Sequence, residues 1–287
     1  MEAYLARADK TREIVNRYAF AFQKKFGQNF LIDETVPRRI LEEAQLGPED
    51  CVLEIGPGIG TMTQYLAEAA GKVIAVEIDR SLEPILADTL KDWDNVTVVW
   101  QDILKVDIPE LIARENGGRP IKVVANLPYY ITTPILMKLL ESEALMDSIT
   151  VMVQEEVADR IAAAPGSKVC GSISLGVQYY AEPRMAFRVT PQSFMPQPKV
   201  SSAVLVLKKR SEPAVACRCP EYMFALIKGA FLQRRKTLVN ALAGYPPAKT
   251  DKESVAAALK ALGLEPLVRG ETLGLAEFAA LAERLQA

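Results

Sequence analysis

Residues 51–70 read "CVLEIGPGIGTMTQYLAEAA". Five strand-type residues run into glycines at 56, 58 and 60, and a segment with helical apolar spacing follows at once. That order predicts a strand, a tight turn in which backbone must come close to something a Cβ would block, and a helix. Outward from this stretch the alternation continues through "KVIAVEID" (72–79), "SLEPILADTL" (81–90), "VTVVWQD" (96–102), "IKVVANLP" (121–128), "TPILMKLLE" (133–141) and "ITVMVQ" (149–154). Strands alternating with helices predict βαβ units and a doubly wound, mostly parallel α/β sheet of Rossmann type. The runs "SISLGVQYY" (172–180), "RMAFRV" (184–189) and "SAVLVLKK" (202–209) read as antiparallel strands that complete the sheet. Beyond about 210 the spacing turns helical, as in "EYMFALIKGAFLQRRKTLVNALA" (221–243). The expected organisation is an α/β domain over 1–210, with an N-terminal arm over 1–35, and an all-α domain over 211–287.

Composition narrows the chemistry. The chain of 287 residues has 49% hydrophobic content, enough to bury a full core. Its first residues, "MEAYLARADKTREIVNRY", mix charge with apolar residues and lack the apolar core of a secretory signal, so a cytoplasmic, membrane-free, monomeric protein is expected. There is no His, which removes the commonest general base and every Ser-His or Cys-His nucleophile. Cysteines at 51, 170, 217 and 219 have no paired metal-ligand spacing; they are read as reduced and structural, with no metal site. Residues 1–200 carry 21 Lys and Arg against 28 Asp and Glu, and the remainder 13 against 8. A basic C-terminal part points to a polyanionic partner, or simply to a solvated helical surface.

An acid, Glu54, precedes the glycines and gives E-x-G-x-G-x-G, the spacing of S-adenosylmethionine enzymes, with Gly56 and Gly58 placed to approach the cofactor. Glu77 ends the next strand, where a carboxylate can accept from both hydroxyls of a ribose. Asp102 ends the third, and is expected at the crevice where strand order reverses, able to accept from an adenine amine. A phosphate-rich cofactor would want cations at such a loop, whereas a positively charged sulfonium tolerates three acids.

"NLPYYIT" (126–132) follows the fourth strand. An adenine amine is a poor nucleophile because its lone pair is delocalised into the ring. Two acceptors, the Asn126 side-chain oxygen and the Leu127 carbonyl, can bond both amine hydrogens and favour a pyramidal nitrogen. Pro128 stiffens the turn, and Tyr129 offers a face for the target base. In "KKFGQNFL" (24–31) Gly27 permits a turn, Asn29 supplies polar contacts, and Phe26 and Phe30 either close over the cofactor or anchor an arm. Phe194, in the Pro-rich "TPQSFMPQPKVSS", is not expected in the deep core; it either stacks on a base or anchors its loop. Phe231, Leu232, Leu238 and Val239 fit one buried helical stripe, leaving Arg234, Arg235 and Lys236 as a solvated cationic cluster.

Together, "NLPY", "KKFGQNFL", "EIGPGIG", "VEID", "VSSAVLVL" and "QRRKTLVNAL" make the chain resemble the ribosomal-RNA adenine dimethyltransferases, which dimethylate two adjacent adenosines near the 3′ end of small-subunit RNA. The resemblance runs from about 20 to 245. It implies S-adenosylmethionine contacts by Asn29, Leu31, Gly56, Glu77, Asp102 and Asn126, and a target-base platform at Tyr129 and Phe194. It also implies ribosomal RNA, in a small-subunit precursor, as partner; Lys24, Lys25 and, on the charge imbalance, Arg234, Arg235 and Lys236 are expected to contact its phosphates, the alternative for the 234–236 cluster being a solvated face. Two other readings share the fold. One is a large-subunit adenine methyltransferase of the macrolide-resistance type, a group that tends to have Ile where this chain has Leu127; the other is a non-catalytic assembly or transcription factor.

Overall fold

A computed structural model describes residues 3–23 and 27–286. Its strands are β1 (Phe30–Leu31), β2 (Cys51–Ile55), β3 (Lys72–Glu77), β4 (Val96–Trp100), β5 (Ile121–Asn126), β6 (Met146–Gln154), β7 (Ala181–Val189), β8 (Phe194–Met195) and β9 (Ser202–Lys209). The α-helices that precede or join the parallel strands are α1 (Ala8–Arg17), α2 (Thr35–Ala44), α3 (Thr61–Ala69), α4 (Glu83–Thr89), α5 (Ile108–Asn116) and α6 (Thr132–Glu141). Later come α7 (Glu155–Ile161), α8 (Ser172–Tyr180), α9 (Pro220–Leu232), α10 (Leu238–Ala243), α11 (Lys252–Ala261) and α12 (Leu275–Gln286).

Seven strands form one sheet in the order β4-β3-β2-β5-β6-β9-β7. β2 to β6 pair in parallel, and β9 runs antiparallel to β6 with Val151 opposite Leu205. Helices cover both faces of a parallel sheet, so its central strands must be apolar on both sides. Val52, Leu53, Val73, Ile74, Val123 and Val124 are accordingly all 0% exposed. Strand order reverses between β2 and β5, because the chain runs outward through β3 and β4 and then returns to the other side of β2. Gly56 follows β2 and Asn126 ends β5, the two strands at that reversal; Asp102 instead follows β4, the edge strand, which corrects its expected place.

By its internal contacts the chain divides into a unit of residues 1–158 and 184–209, which carries the sheet, and a unit of 159–183 and 210–287. The segment 159–183 was expected with the α/β domain and groups instead with the helices. "SISLGVQYY" is not a strand but helix α8. Its β-branched and aromatic content gives way to tertiary packing. Leu175 and Tyr179, four residues apart, face a core that includes Met223, Leu226, Leu238 and Phe278, and the Ser174 hydroxyl accepts from the Gly171 N–H to cap the helix. The stretch 231–240 is also not one helix: α9 ends at Leu232, a turn spans 233–236, and α10 begins at Leu238. Leu238 is buried, but Leu232 is 63% exposed and leaves the expected stripe.

Candidate active site

The strand ends of β2, β3, β4 and β5, together with the arm at 27–31, line one cleft in the sheet-bearing unit. Its floor is the turn after β2. Gly56 has φ +71°, a left-handed conformation that glycine adopts without strain, and a Cβ there would meet nothing within 4 Å. Gly58, at φ +60°, is tighter: a Cβ would stand 2.9 Å from the Phe30 ring. The turn therefore leaves room at its first glycine while accepting the arm at its second.

Glu54, one strand residue before the turn, is 1% exposed, and its Oε2 has no hydrogen-bond partner. Burial pushes its carboxyl up to about 8, with the nearby Glu77 charge acting in the same direction. The Thr61 hydroxyl, also buried and on the cleft wall, is likewise without a partner. Glu77 is wired quite differently. Its Oε1 accepts from the backbone N–H groups of Ile78 and Asp79, each at 2.8 Å, and its Oε2 from Gly58 N–H at 3.2 Å. Burial raises its carboxyl above the usual range against the pull of these three donors. Asp102 is half-buried and caps the turn at Ile103–Lys105 by accepting from Leu104 N–H at 3.0 Å.

At the end of β5 the Asn126 amide N–H donates to the Asn29 carbonyl at 3.3 Å. With its nitrogen held on that side, its Oδ1 is presented as an acceptor. Leu127 is buried and its N–H donates to Met152 O at 3.0 Å, which anchors the residue whose carbonyl is the expected second acceptor. Pro128 begins the turn into α6: its carbonyl accepts from Ile131 N–H and from the Thr132 hydroxyl, both at 3.2 Å. The Tyr129 hydroxyl shares a 2.6 Å hydrogen bond with Ser202, and burial pushes its pKa up, keeping it a neutral phenol.

The cleft thus brings together Asn29, Leu31, Gly56, Gly58, Glu77, Asp102, Asn126, Leu127, Pro128 and Tyr129. Lys24, Lys25 and Phe26 lie outside the described residues. Phe194 departs from expectation. It is 3% exposed and packs with Leu31, Val36, Met152 and Val204, because β8 pairs with β1 and sets Phe194 opposite Leu31. An edge strand two residues long makes it core, and it presents no face to the cleft. Nor is Arg234 a free cation: it pairs with Glu271 at 2.9 Å and donates to the Lys168 carbonyl, while Arg235 and Lys236 are exposed.

The cleft also holds residues that motif spacing did not single out. Ile78, 48% exposed, and Ile103 offer apolar surface beside the two strand-end acids. Tyr130, 59% exposed, stands over Gly27, whose missing Cβ would lie 3.6 Å from its ring. An apolar residue between two acids in "VEID", and a second aromatic in "PYY", were the available signals.

A profile of the family described as "Ribosomal RNA adenine dimethylase" matches residues 19–280. "Ribosomal RNA small subunit methyltransferase A" of Lachnoclostridium phytofermentans is 54% identical over 98% of this chain and 97% of its own length. The protein of the same name from Streptococcus pneumoniae is 52% identical over 96% of each. Among solved structures, the 23S rRNA methyltransferase ErmE superposes with a TM-score of 0.67 at 28% identity, covering 90% of this chain and all of its own. A dimethyladenosine transferase from Plasmodium falciparum, at 24% identity and a TM-score of 0.73 over 88% of this chain and 95% of its own, shares the fold. The chain belongs to the ribosomal RNA adenine dimethylase family.

Proposed function

We infer that the protein is an S-adenosylmethionine-dependent methyltransferase that dimethylates, at N6, two adjacent adenosines near the 3′ end of small-subunit ribosomal RNA. One observation carries the cofactor: among the described residues lining the cleft there are three acids and no Lys or Arg. A phosphate cofactor would find no countercharge there, whereas a ligand carrying a sulfonium and an ammonium suits it. The unpartnered Glu54 Oε2 and Thr61 Oγ1 and the open space at Gly56 fit the same ligand, since buried polar atoms without partners are rare unless something binds them.

When bound, S-adenosylmethionine supplies an electrophilic methyl group. In this reading Glu77 accepts from the ribose hydroxyls, its backbone donors holding it aimed. Asp102 accepts from the adenine amine, with Ile78 and Ile103 against the ring. Asn29, Leu31, Gly56 and Gly58 complete the wall. The target amine donates its two hydrogens to Asn126 Oδ1 and the Leu127 carbonyl, which favours a pyramidal nitrogen and leaves its lone pair directed outward. Neither amide oxygen is a base, so the proton shed after transfer passes to water, and the absence of His costs nothing. Tyr129, held by Ser202, stacks on the target base; Phe194 supports that wall from within the core. Lys24, Lys25, Arg235 and Lys236 contact phosphates. The protein acts as a cytoplasmic monomer; no helix among the described residues is long and apolar enough to cross a membrane.

The higher identity to small-subunit enzymes than to the large-subunit ErmE favours the small subunit. The test is to incubate the protein with labelled S-adenosylmethionine and both ribosomal subunits lacking their modifications, then map the labelled base. Two labelled adjacent adenosines in small-subunit RNA are expected; label confined to large-subunit RNA, or none, overturns the reading.

A further inference from the structure

Asp79 lies two residues beyond Glu77, in a buried position at 5% exposure. Its carboxylate collects donors from two directions. Ser81 N–H at 3.1 Å and the Ser81 hydroxyl at 2.6 Å come from its own turn, where Asp79 caps Arg80–Leu82. The others come from the arm, more than fifty residues away in sequence: Gln28 Nε2 at 2.9 Å and Gln23 Nε2 at 3.1 Å. The two glutamines are also joined to each other, Gln23 N–H donating to Gln28 Oε1 at 2.8 Å. Meanwhile the Asp79 backbone N–H donates to Glu77 Oε1. One residue therefore connects the strand-end carboxylate of β3 to the arm. Immediately after Gln28, the Asn29 carbonyl holds the Asn126 amide, which sits on the other side of the strand-order reversal.

We propose that Asp79 is a positioning residue: its carboxylate holds Gln23 and Gln28 so that the arm stays seated on the cleft, and through Asn29 keeps the Asn126 amide oriented. A surface carboxylate between two glutamines would add little, but charged hydrogen bonds in a buried site are stronger and more directional. Gln23 and Gln28 carry no charge, so the site is built for geometry rather than for ion pairing. The proposal rests on the cofactor being held in this cleft.

Asp79→Asn separates positioning from structure. Asn keeps an acceptor oxygen for Ser81 N–H, and the substitution leaves the backbone N–H that donates to Glu77 in place. Asp79→Asn and Gln28→Ala are each expected to weaken S-adenosylmethionine binding by calorimetry about tenfold, because the cofactor must then seat the arm as it binds, while the protein still unfolds cooperatively with a melting temperature lowered by only a few degrees. The combined variant should fall short of the product of the two losses, because both remove one contact. Single-turnover methylation at saturating cofactor should also fall, through Asn126. Wild-type affinity in Asp79→Asn and Gln28→Ala, alongside tight binding by the wild type and loss in Glu77→Ala, overturns the positioning role alone. If the wild type binds no S-adenosylmethionine, or Glu77→Ala binds as tightly as wild type, the cleft itself is misassigned. A multiplicative double variant shows that Asp79 and Gln28 act separately and overturns the proposed link.

Discussion

The cleft at the strand ends and the turn between α9 and α10 treat charge in opposite ways. In the cleft, Glu54 and Glu77 are both buried and only 23 residues apart in sequence; Glu77 is held by three backbone donors, whereas Glu54 is set by burial, its Oε2 without a partner. At the turn, Arg235 and Lys236 are exposed, and Arg234 is already committed to Glu271. A buried group acts through fixed geometry, so removing one atom has a large and specific effect. An exposed cation acts through its field, which neighbours share and salt screens. Changes in the cleft should therefore be large and separable, and changes at the turn small and additive.

The largest effect is expected at Asn126. Its oxygen matters most as the amine becomes nucleophilic, so Asn126→Ala should lower the single-turnover rate by about 100- to 1,000-fold, the range seen when one preorganised polar group is removed, with RNA affinity little changed. A full rate in this variant would remove the amine-gripping role and leave the cleft as a binding site only.

Glu54 tests burial without wiring. Its folded value of about 8 lies above the ordinary 4.5, so the folded protein holds a proton that the unfolded chain has released across that window. Stability from this group is present below the lower value and is lost as pH rises toward the upper one. Glu54→Gln cannot ionise, so in urea unfolding its stability relative to wild type should rise by about 2 to 3 kcal/mol, and by no more than one proton's worth per pH unit, between pH 5 and pH 7. A constant difference across that range would mean the carboxyl is not held neutral in the folded protein.

Glu77 is buried with wiring, and its loss should be felt by the ligand. Glu77→Ala is expected to weaken S-adenosylmethionine binding by about 1.5–3 kcal/mol, the scale of hydrogen bonds to a charged acceptor, without unfolding the protein. Calorimetry is the check, and unchanged affinity would place the cofactor elsewhere.

How far these contrasts could be read from sequence differs by element. The parallel core was legible because strand-length apolar runs alternate with helices, and the acids at 54, 77 and 102 sit next to glycines or strand ends. Helix α8 was not legible, since Ile, Val and Tyr favour strands locally and its packing with Met223 and Phe278 decides for a helix. Phe194 was misread for a related reason: the pairing of β1 with β8 is non-local and two residues long, and nothing in a Pro-rich loop announces it. The arm's hold on Asp79 was hidden too, because it joins residues 51 and 56 positions apart through uncharged glutamines.

The smallest effect belongs to the turn. The expected triple cluster is in fact a pair, because Arg234 Nε and Nη2 both serve Glu271 and Nη2 also donates to the Lys168 carbonyl. Reversing Arg234 would set two carboxylates against each other and disturb the helical unit, so a change in RNA binding there would have two causes. Arg235→Glu with Lys236→Glu avoids this, since the turn's backbone is closed by Lys236 N–H to the Gln233 carbonyl, which both substitutions keep. Each phosphate contact adds about 0.7–0.9 to the salt slope, so the double variant should flatten the slope of small-subunit binding by about 1.4 or more. Cofactor affinity should stay at the wild-type value, because neither residue lines the cleft. Superimposable slopes would make Arg235 and Lys236 an ordinary solvated surface, and the charge imbalance between the two parts of the chain would then have no part in holding RNA.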